Sequence, residues 1–435
     1  MTGHTAGHMA PGTGILVAGA GPAGMAAAVR AAESGKQVTV VDDNPAEGGQ
    51  IWRGGKRQAS NSQAAAWFKR LKDSGAKILS GCRIVGGDAR ARTLLVETTD
   101  SALHLPYAEL ILATGARELF LPFPGWTLPN VMGVGGLQAL VKAGLPVNAK
   151  RIVVAGTGPL LLAVASGLRK QGANVVAIAE QADWNRLLRF GLSLATFPEK
   201  LWQAGALKAS LGSTPYLPGS WVTSAEGEEK LRRVEIRTAS GTKTFDCDYL
   251  AVAYGFSPNT ELAQLLGCAM QGGFVSVDSL QRTTIPGIYC AGEVTGLGGV
   301  DLSLIEGEIA GFAASGRDHL ARKLFPVRER ARKFAHSLNR AFALPDELRS
   351  LPDATTIVCR CEDVPLEKLR AADSWRMAKL HLRCGMGPCQ GRVCGPAVEF
   401  LFGWKPESVR PPVFPARIAT LISESTYTIE KGVNQ

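Results

Sequence analysis

A chain of 435 residues is long enough for about three domains, and a composition of 46% hydrophobic and 20% charged residues is typical of a well-packed globular protein. No run reaches the roughly 18 uninterrupted apolar residues of a membrane-spanning helix, and the polar, Gly-rich first residues lack the apolar core of a secretory signal, so we expect a cytoplasmic protein with reduced thiols. The net charge of +10 is concentrated in residues 322–340, which hold seven Lys or Arg against Glu329 alone; this favours a helix with a solvated basic face, or one that binds an acidic partner, over a nucleic-acid site.

The first motif in chain order is a glycine-rich turn between a predicted strand and a predicted helix. Residues 15–18 are apolar, a helical apolar pattern follows the turn, and a second apolar run ends at Asp42, 23 positions after Gly19. In this pattern the glycines permit a tight turn and close approach of a pyrophosphate, and the acid accepts hydrogen bonds from a ribose. We therefore predict a dinucleotide site whose residues are Gly19, Ala20, Gly21, Pro22, Ala23, Gly24 and Asp42.

A second strand–turn–helix pattern begins at residue 152. It contains Gly156 and Gly158, and its following strand ends at Glu180, but Leu161 stands where a third glycine is expected. The bulk of Leu161 disfavours close packing of strand and helix. Three interpretations stay open: a working NAD site, a domain kept for packing, and a site for another adenine nucleotide such as ATP.

Five cysteines lie within 36 residues near the C-terminus. Cys359, Cys361, Cys389 and Cys394 form a four-thiolate set, and Cys384 is an alternative ligand. Four thiolates suit zinc or an iron–sulfur cluster, and the C-x-C spacing favours the cluster because structural zinc sites usually space their cysteines by two to four residues. A metal-free structural group of thiols is the third alternative. The other four cysteines are scattered, which is typical of buried small apolar residues.

The order of the first motif resembles the FAD-binding half of the flavoprotein disulfide-reductase superfamily, whose members carry two dinucleotide-binding domains. The stretches LILATGARE (110–118) and TTIPGIYCAGEVTG (283–296) carry the likeness, although Glu293 stands where the superfamily usually has Asp. The resemblance implies FAD, with further contacts from Gln50, Ala113, Thr114, Gly115, Gly292 and Glu293. Disulfide-reductase activity is excluded, because the chain has no C-x-x-C pair.

The whole chain resembles the A (alpha) subunits of bacterial dye-linked amine dehydrogenases, of the opine oxidase, hydrogen cyanide synthase and heteromeric proline dehydrogenase type. The stretches GGQIWR (48–53), LPFPGWTLPNVMGVGGLQAL (121–140), AGEVTGLGGVDL (291–302) and CGMGPCQGRVCGP (384–396) carry this likeness, and the cysteine segment resembles the 2Fe–2S domain of bacterioferritin-associated ferredoxin. The resemblance implies that a flavoprotein beta subunit oxidises a small amino or imino acid, and that this chain passes the electrons through FAD and a 2Fe–2S cluster. It also implies a dye, quinone or respiratory-chain acceptor, with peripheral attachment to the inner membrane as an alternative to a purely cytoplasmic location.

The expected fold class is α/β, with two Rossmann-like dinucleotide-binding domains in a glutathione-reductase-like arrangement, one inserted in the other, and a small C-terminal iron–sulfur domain. The predicted boundaries are 14–122 with 280–320 for the FAD domain, 123–279 for the degenerate second domain, 321–351 for a basic helical linker, 352–403 for the 2Fe–2S domain and 404–435 for the tail. No catalytic residue is nominated. Two other functions stay open: a self-contained NAD(P)H-dependent ferredoxin-type reductase and a non-catalytic iron–sulfur scaffold subunit.

Overall fold

The computed structural model describes residues 14–53, 62–406 and 408–423. The chain divides into two compact units. The first unit comprises the described residues up to 116, residues 258–332 and the described residues from 408 onward, and the second comprises residues 117–257 and the described part of 333–407. No helix among the described residues combines the length and apolar character needed to cross a membrane.

The described residues between 14 and 118 contain eight strands and two helices. In chain order the elements are β1 (Ile15–Ala18), α1 (Pro22–Glu33), β2 (Val38–Asp42), α2 (Ser62–Asp73), β3 (Lys77–Ser80), β4 (Arg83–Asp88), β5 (Thr93–Glu97), β6 (Ala102–Pro106), β7 (Glu109–Leu112) and β8 (Ala116–Glu118).

Residues 119–258 contain the second strand–turn–helix pattern. The elements are β9 (Val131–Gly133), α3 (Val134–Lys142), β10 (Arg151–Gly156), α4 (Leu160–Lys170), β11 (Asn174–Glu180), α5 (Trp184–Ser193), α6 (Pro198–Ser210), β12 (Tyr216–Pro218), β13 (Trp221–Glu226), β14 (Arg233–Thr238), β15 (Gly241–Asp246), β16 (Tyr249–Ala253) and β17 (Phe256–Pro258).

The described residues after 258 contain more helix than strand. The elements are α7 (Glu261–Leu265), β18 (Met270–Gln271), β19 (Phe274–Val275), β20 (Ile288–Cys290), α8 (Gly299–Ala314), α9 (Asp318–Lys323), α10 (Phe325–Ala341), β21 (Ile357–Cys359), β22 (Val364–Pro365), α11 (Leu366–Leu369), α12 (Trp375–Leu382) and α13 (Cys394–Phe402).

Each unit is built on a five-stranded parallel sheet. The order is β20-β7-β1-β2-β3 in the first unit and β12-β11-β10-β16-β9 in the second, and a three-stranded antiparallel sheet accompanies each. The central strands are apolar runs because a parallel sheet buries both faces: every residue of β1 and β2 is buried. Both glycine-rich turns follow the carboxyl end of a central strand, where ligands of open α/β sheets bind.

Helix α8 crosses α1 at close range in the first unit. A Cβ on Gly307 would lie 2.1 Å from the carbonyl oxygen of Ala23, and one on Gly311 would lie 2.4 Å from that of Ala27. Small residues on both helices therefore allow backbone contact. The contact places the segment that follows β20 beside the start of α1, where the first glycine-rich turn lies.

Candidate functional site

The first glycine-rich turn has no room for side chains at two of its three glycines. Gly19 has a φ of +105°, and a Cβ there would lie 2.3 Å from the carbonyl oxygen of Ala113; a Cβ on Gly24 would lie 1.8 Å from the carbonyl oxygen of Gly19. Gly21 caps the N-terminus of α1 with extended backbone, and Pro22 is the first helical residue, where a missing N–H costs nothing. The turn thus exposes backbone N–H groups at a helix N-terminus, which is a site for phosphate.

Asp42 lies at the end of β2 and contacts this turn directly. Its Oδ2 accepts a hydrogen bond of 2.5 Å from the Ala20 backbone N–H, and its Oδ1 accepts one of 2.8 Å from the Asn44 N–H. The side chain is buried, as is Ala23 in the first turn of α1. The structure therefore brings together the glycine turn and the acid that the sequence placed 23 residues apart.

Residues 48–50 cover the other side of the turn. The Gly48 N–H donates to the Ala20 carbonyl at 2.9 Å, and a Cβ on Gly49 would lie 2.9 Å from the Cα of Gly21. Gln50 is exposed, and its Oε1 accepts a 2.7 Å hydrogen bond from Arg53. This stretch carries part of the sequence resemblance, but Gly48 and Gly49 were not among the site residues named from the sequence. Their signal was a double glycine, and both have a positive φ that other residues rarely adopt.

Residues 113–115 follow β7 and are fixed by Asn259. The Ala113 N–H donates to the Ala18 carbonyl, which continues the sheet. The Thr114 hydroxyl donates to the Asn259 carbonyl at 2.6 Å, and the Asn259 side-chain amide donates back to the Thr114 carbonyl at 2.9 Å. The Asn259 N–H also donates to the Gly115 carbonyl at 2.9 Å. Asn259 is thus a positioning residue that the sequence pattern did not identify.

Gly292 follows β20 and lies against the start of α1. Its φ is +83°, and a Cβ there would lie 2.8 Å from the Cβ of Ala23. Glu293 accepts a hydrogen bond from the Gly299 N–H at the start of α8, and burial raises the pKa of its carboxyl group. The longer side chain, which stands where the superfamily usually has Asp, is therefore accommodated at a helix N-terminus.

The buried carboxylate of Glu306 organises the same segment. Its Oε2 accepts hydrogen bonds from the Gly292 N–H at 3.2 Å and the Thr295 hydroxyl at 2.9 Å, and its Oε1 lies 3.1 Å from the Arg332 guanidinium. Burial raises the pKa of Glu306 despite these partners. A buried carboxylate is costly unless it is paired, and Glu306 is paired with three groups of this segment and of α10. Its structural role was not evident from the sequence.

The second glycine-rich turn shares with the first a glycine packed against neighbouring backbone and an acid that accepts from a backbone N–H of the turn. A Cβ on Gly156 would lie 1.9 Å from the Ala253 carbonyl oxygen, and the Gly158 N–H donates to Oε2 of Glu180 at 2.8 Å. Glu180 is 1% exposed, and burial raises its pKa to about 7 although its Oε1 accepts a 2.9 Å hydrogen bond from the Ala182 N–H. Leu161 is fully buried in the core between α4 and the sheet. The turn folds without the third glycine, and the helix carries a bulky side chain in its place.

The chain itself covers this second turn. The backbone carbonyl of Phe342, just after α10, accepts hydrogen bonds from the Thr157 hydroxyl at 3.2 Å and the Gln181 side-chain amide at 3.3 Å. The next carbonyl, of Ala343, accepts a 2.9 Å hydrogen bond from Arg186. The ring of Phe342 lies 3.9 Å from the position of a Cβ on Gly158. Residues 342–343 thus lie against the turn and beside Gln181, the residue that follows β11.

The five clustered cysteines come together in the second unit. The sulfurs of Cys359, Cys384 and Cys394 lie within 4.8 Å of one another and are buried. Cys389 is half-buried and hydrogen-bonds through its sulfur with Cys394 and Cys361, and Cys361 is exposed. All four predicted ligands and the alternative therefore lie in one group, and the three sulfurs within 4.8 Å of one another include that of Cys384.

Glycines and one tryptophan shape the pocket around these sulfurs. A Cβ on Gly385 would lie 2.7 Å from the Trp375 ring, one on Gly391 would lie 3.1 Å from it, and one on Gly387 would lie 2.3 Å from the Cβ of Cys361. The Gly385 N–H donates to the Cys359 sulfur at 3.5 Å. Backbone N–H groups that approach sulfur tune the reduction potential of a cluster. Trp375, which is buried at the start of α12, was not identified from the sequence.

Crowding of the thiols shifts their acidity. Hydrogen bonds from Cys384 and Cys394 lower the pKa of Cys359 to about 2, and a hydrogen bond from Cys394 lowers the pKa of Cys389 to about 5. The donation raises the pKa of Cys384 to about 12. Soft thiolates at this separation suit zinc, iron or an iron–sulfur cluster.

Comparison with known proteins agrees with this geometry. The family model described as pyridine nucleotide-disulphide oxidoreductase matches residues 13–310. The A subunit of opine oxidase from Rhizobium meliloti is 31% identical, over 94% of this chain and 86% of its own length, and the HcnB subunit of hydrogen cyanide synthase from Pseudomonas aeruginosa is 31% identical, over 87% of this chain and 90% of its own. The crystal structure of L-proline dehydrogenase from P. horikoshii has a TM-score of 0.67 at 19% identity and covers 94% of this chain and 79% of its own, which is a likeness of fold. The predicted α/β fold class with Rossmann-like dinucleotide-binding domains is thereby confirmed, and the C-terminal iron–sulfur domain stays a prediction.

Proposed function

Because the chain belongs to the pyridine nucleotide-disulphide oxidoreductase family and is an oxidoreductase, we propose that it is the FAD- and 2Fe–2S-containing electron-transfer subunit of a heteromeric amino- or imino-acid dehydrogenase. The sequence resemblance to A-type subunits of that class is confirmed by relatives that are themselves named as subunits. In the proposed complex a partner flavoprotein oxidises an opine, proline or glycine-type substrate.

The observation that carries the proposal is the group of five cysteine sulfurs in one pocket of a chain that also has a dinucleotide-binding turn. Three of them are buried within 4.8 Å of one another, and the other two are linked to that group through Cys389. A chain with this many thiolates in one place fits a metal centre, and the glycines beside the sulfurs leave backbone N–H groups close to them. The donor set therefore fits an iron–sulfur cluster held by Cys359, Cys361, Cys389 and Cys394, with Cys384 as the alternative ligand.

The first glycine turn fits FAD. The space beside Gly21 is bounded by backbone, and the turn presents N–H groups at the start of α1, where a pyrophosphate is stabilised. Asp42 is held at the edge of the same turn by Ala20, in position to accept from a ribose hydroxyl. FAD and a 2Fe–2S cluster, when bound, supply two-electron and one-electron redox chemistry, which is the pairing that a relay from an amine-oxidising partner requires.

The second dinucleotide fold serves packing in this proposal. The Phe342 carbonyl accepts hydrogen bonds from Thr157 and Gln181, and the Gly158 N–H donates to the Glu180 carboxylate. A nucleotide at this turn would have to displace residues 342–343 and their hydrogen bonds. NAD and ATP are therefore not expected to bind there, which also disfavours a self-contained NAD(P)H-dependent ferredoxin-type reductase.

Cofactor analysis of the chain, purified alone and together with the flavoprotein subunit proposed as its partner, tests the proposal. The expected result is flavin together with iron and acid-labile sulfide in equal amounts, and visible bleaching by an amino or imino acid only when the partner is present. A protein that contains zinc, or neither flavin nor metal, would contradict it; the colourless outcome would favour the scaffold function. Bleaching of the single chain by NADH would favour the reductase.

A further inference from the structure

The segment that leads into Cys359 is held by a tryptophan from an earlier part of the second unit. The Trp126 indole N–H donates to the backbone carbonyl of Ile357 at 2.6 Å, two residues before Cys359. β21 pairs only with β22 among the described strands, and its register shifts between Ile357 and Cys359. Because an isolated two-stranded ribbon is marginally stable, the contact with Trp126 helps to fix where Cys359 lies.

Trp126 is itself held in place by a tight turn. The centroid of its ring lies 4.9 Å from that of Phe120, and its backbone N–H donates to the Phe123 carbonyl at 3.1 Å. Gly125 has a φ of +82°, and a Cβ there would overlap the carbonyl oxygen of Ala225 on β13. The indole therefore reaches Ile357 from a turn that packs directly against a strand.

The second cysteine segment is held in a similar way by Arg117. The Nε–H of this side chain donates to the backbone carbonyl of Arg392 at 3.0 Å. Arg392 stands two residues before Cys394, the first residue of α13, and its own N–H donates to the Cys389 carbonyl at 3.0 Å. The contact with Arg117 therefore bears on the positions of Cys389 and Cys394 together.

We propose that Arg117 and Trp126 are positioning residues of the thiol group, and that they set the separation of Cys359 and Cys394 before a metal binds. The sulfurs of these two cysteines lie within 4.8 Å of each other and are buried. Ligands that are already in place lose less conformational freedom when a metal binds. The inference rests on the proposed function in one respect, because it requires a metal at the thiol group.

An exposed ion pair also joins the two cysteine segments. The Nε of Arg383 lies 2.7 Å from Oε2 of Glu362, and the Arg383 side chain is 63% exposed. Exposed ion pairs stabilise little, so Arg383→Gln is expected to affect metal binding less than loss of the Trp126 contact does.

Cadmium titration of the metal-free, full-length chain tests the arrangement of the thiols, whichever metal the protein holds. Thiolate-to-cadmium charge-transfer absorbance reports binding. Trp126→Phe keeps a ring beside Phe120 but removes the N–H, and it is expected to weaken cadmium binding about tenfold, as loss of an outer contact that orients ligands does. Arg117→Met should weaken binding in the same direction, and Arg117→Lys, which keeps a cationic donor, should restore much of it.

The matched control is Trp221→Phe. Trp126 and Trp221 are both half-buried against the same apolar core, and the Trp221 indole donates no hydrogen bond to a residue in the described part of the chain. Trp221→Phe should therefore bind cadmium like the wild type. Circular dichroism at the temperature of the titration verifies that each variant is folded, so that weaker binding is not the result of unfolding.

Three outcomes would overturn the inference: no cadmium binding by the wild type, equal affinity in the wild type and in both Trp126→Phe and Arg117→Met, or an equal loss in Trp221→Phe. Iron and sulfide analysis of the wild type tests the proposed function separately. A chain that contains zinc, and whose cadmium affinity depends on Trp126, would contradict the proposed function and leave the positioning role intact.

Discussion

The titration of Glu180 gives a quantitative test of the interpretation of the second dinucleotide fold. The carboxyl group is 1% exposed, and burial raises its pKa from 4.5 to about 7. The folded state therefore binds the proton more tightly than the unfolded chain. The stabilisation from protonated Glu180 is fully present below pH 4.5, is lost as pH rises towards 7, and is absent above it.

A difference of about 2.5 pKa units corresponds to about 3 kcal/mol of unfolding free energy, of which about 2.5 kcal/mol falls between pH 5 and pH 8. Glu180→Gln removes this titration but keeps an acceptor for the Gly158 N–H. We expect the free energy of urea unfolding of the wild type, minus that of the variant, to fall by this amount over that pH range. The exposed Glu226→Gln on β13 is the control and should show no such trend. A difference that is flat with pH would refute the reasoning.

Three further predictions follow from contacts at the turns and at the thiol group. Gly24→Ala is expected to remove bound flavin and destabilise the fold, because its Cβ would lie 1.8 Å from the Gly19 carbonyl oxygen. The control Gly205→Ala on α6, whose Cβ would have nothing within 4 Å, should leave flavin content and stability unchanged. Flavin absorbance measures the first quantity and thermal unfolding the second. Gly385→Ala should lower the iron content by forcing a Cβ to 2.7 Å from the Trp375 ring, while Gly403→Ala, which has a similar φ but no close neighbour, should retain iron; equal iron in both variants would contradict the contact. Calorimetric titration with NAD or ATP is expected to show no binding at the second turn, either in the wild type or in Gly158→Ala, because residues 342–343 lie against this turn. Saturable binding heat in the wild type that disappears in Gly158→Ala would contradict this, because it would place a nucleotide at the turn.

Sequence spacing predicted the parts of the site that lie close together in the chain or repeat a known pattern. The glycines at 19, 21 and 24 and the acid at 42 indicated the first turn, and the density of cysteines indicated the thiol group. Both features are local or compositional. The geometry of the turn follows from a strand–turn–helix unit, and the proposed shared metal centre would account for the gathering of the thiols.

The contacts that the sequence did not reveal join residues far apart in the chain. Thr157 and Phe342 are separated by 185 residues, and Thr114 and Asn259 by 145, and no periodicity links either pair. Trp375 and Gly385 are close in sequence, but the left-handed backbone of Gly385 that brings them into contact is visible only in three dimensions. On α5 the sequence has apolar residues on two sides, and periodicity alone does not say which side the fold buries.

The proposed transfer of electrons from a partner subunit through a centre bound by the cysteine sulfurs is tested most directly by comparing the complex of the wild-type chain with one that carries Cys394→Ser. Stopped-flow spectroscopy under anaerobic conditions would follow flavin bleaching by the amine and then reduction of an artificial dye. The account predicts that the variant complex still bleaches with amine but reduces the dye far more slowly than the wild type, in step with its loss of iron. Dye reduction at the wild-type rate by an iron-free variant would contradict it.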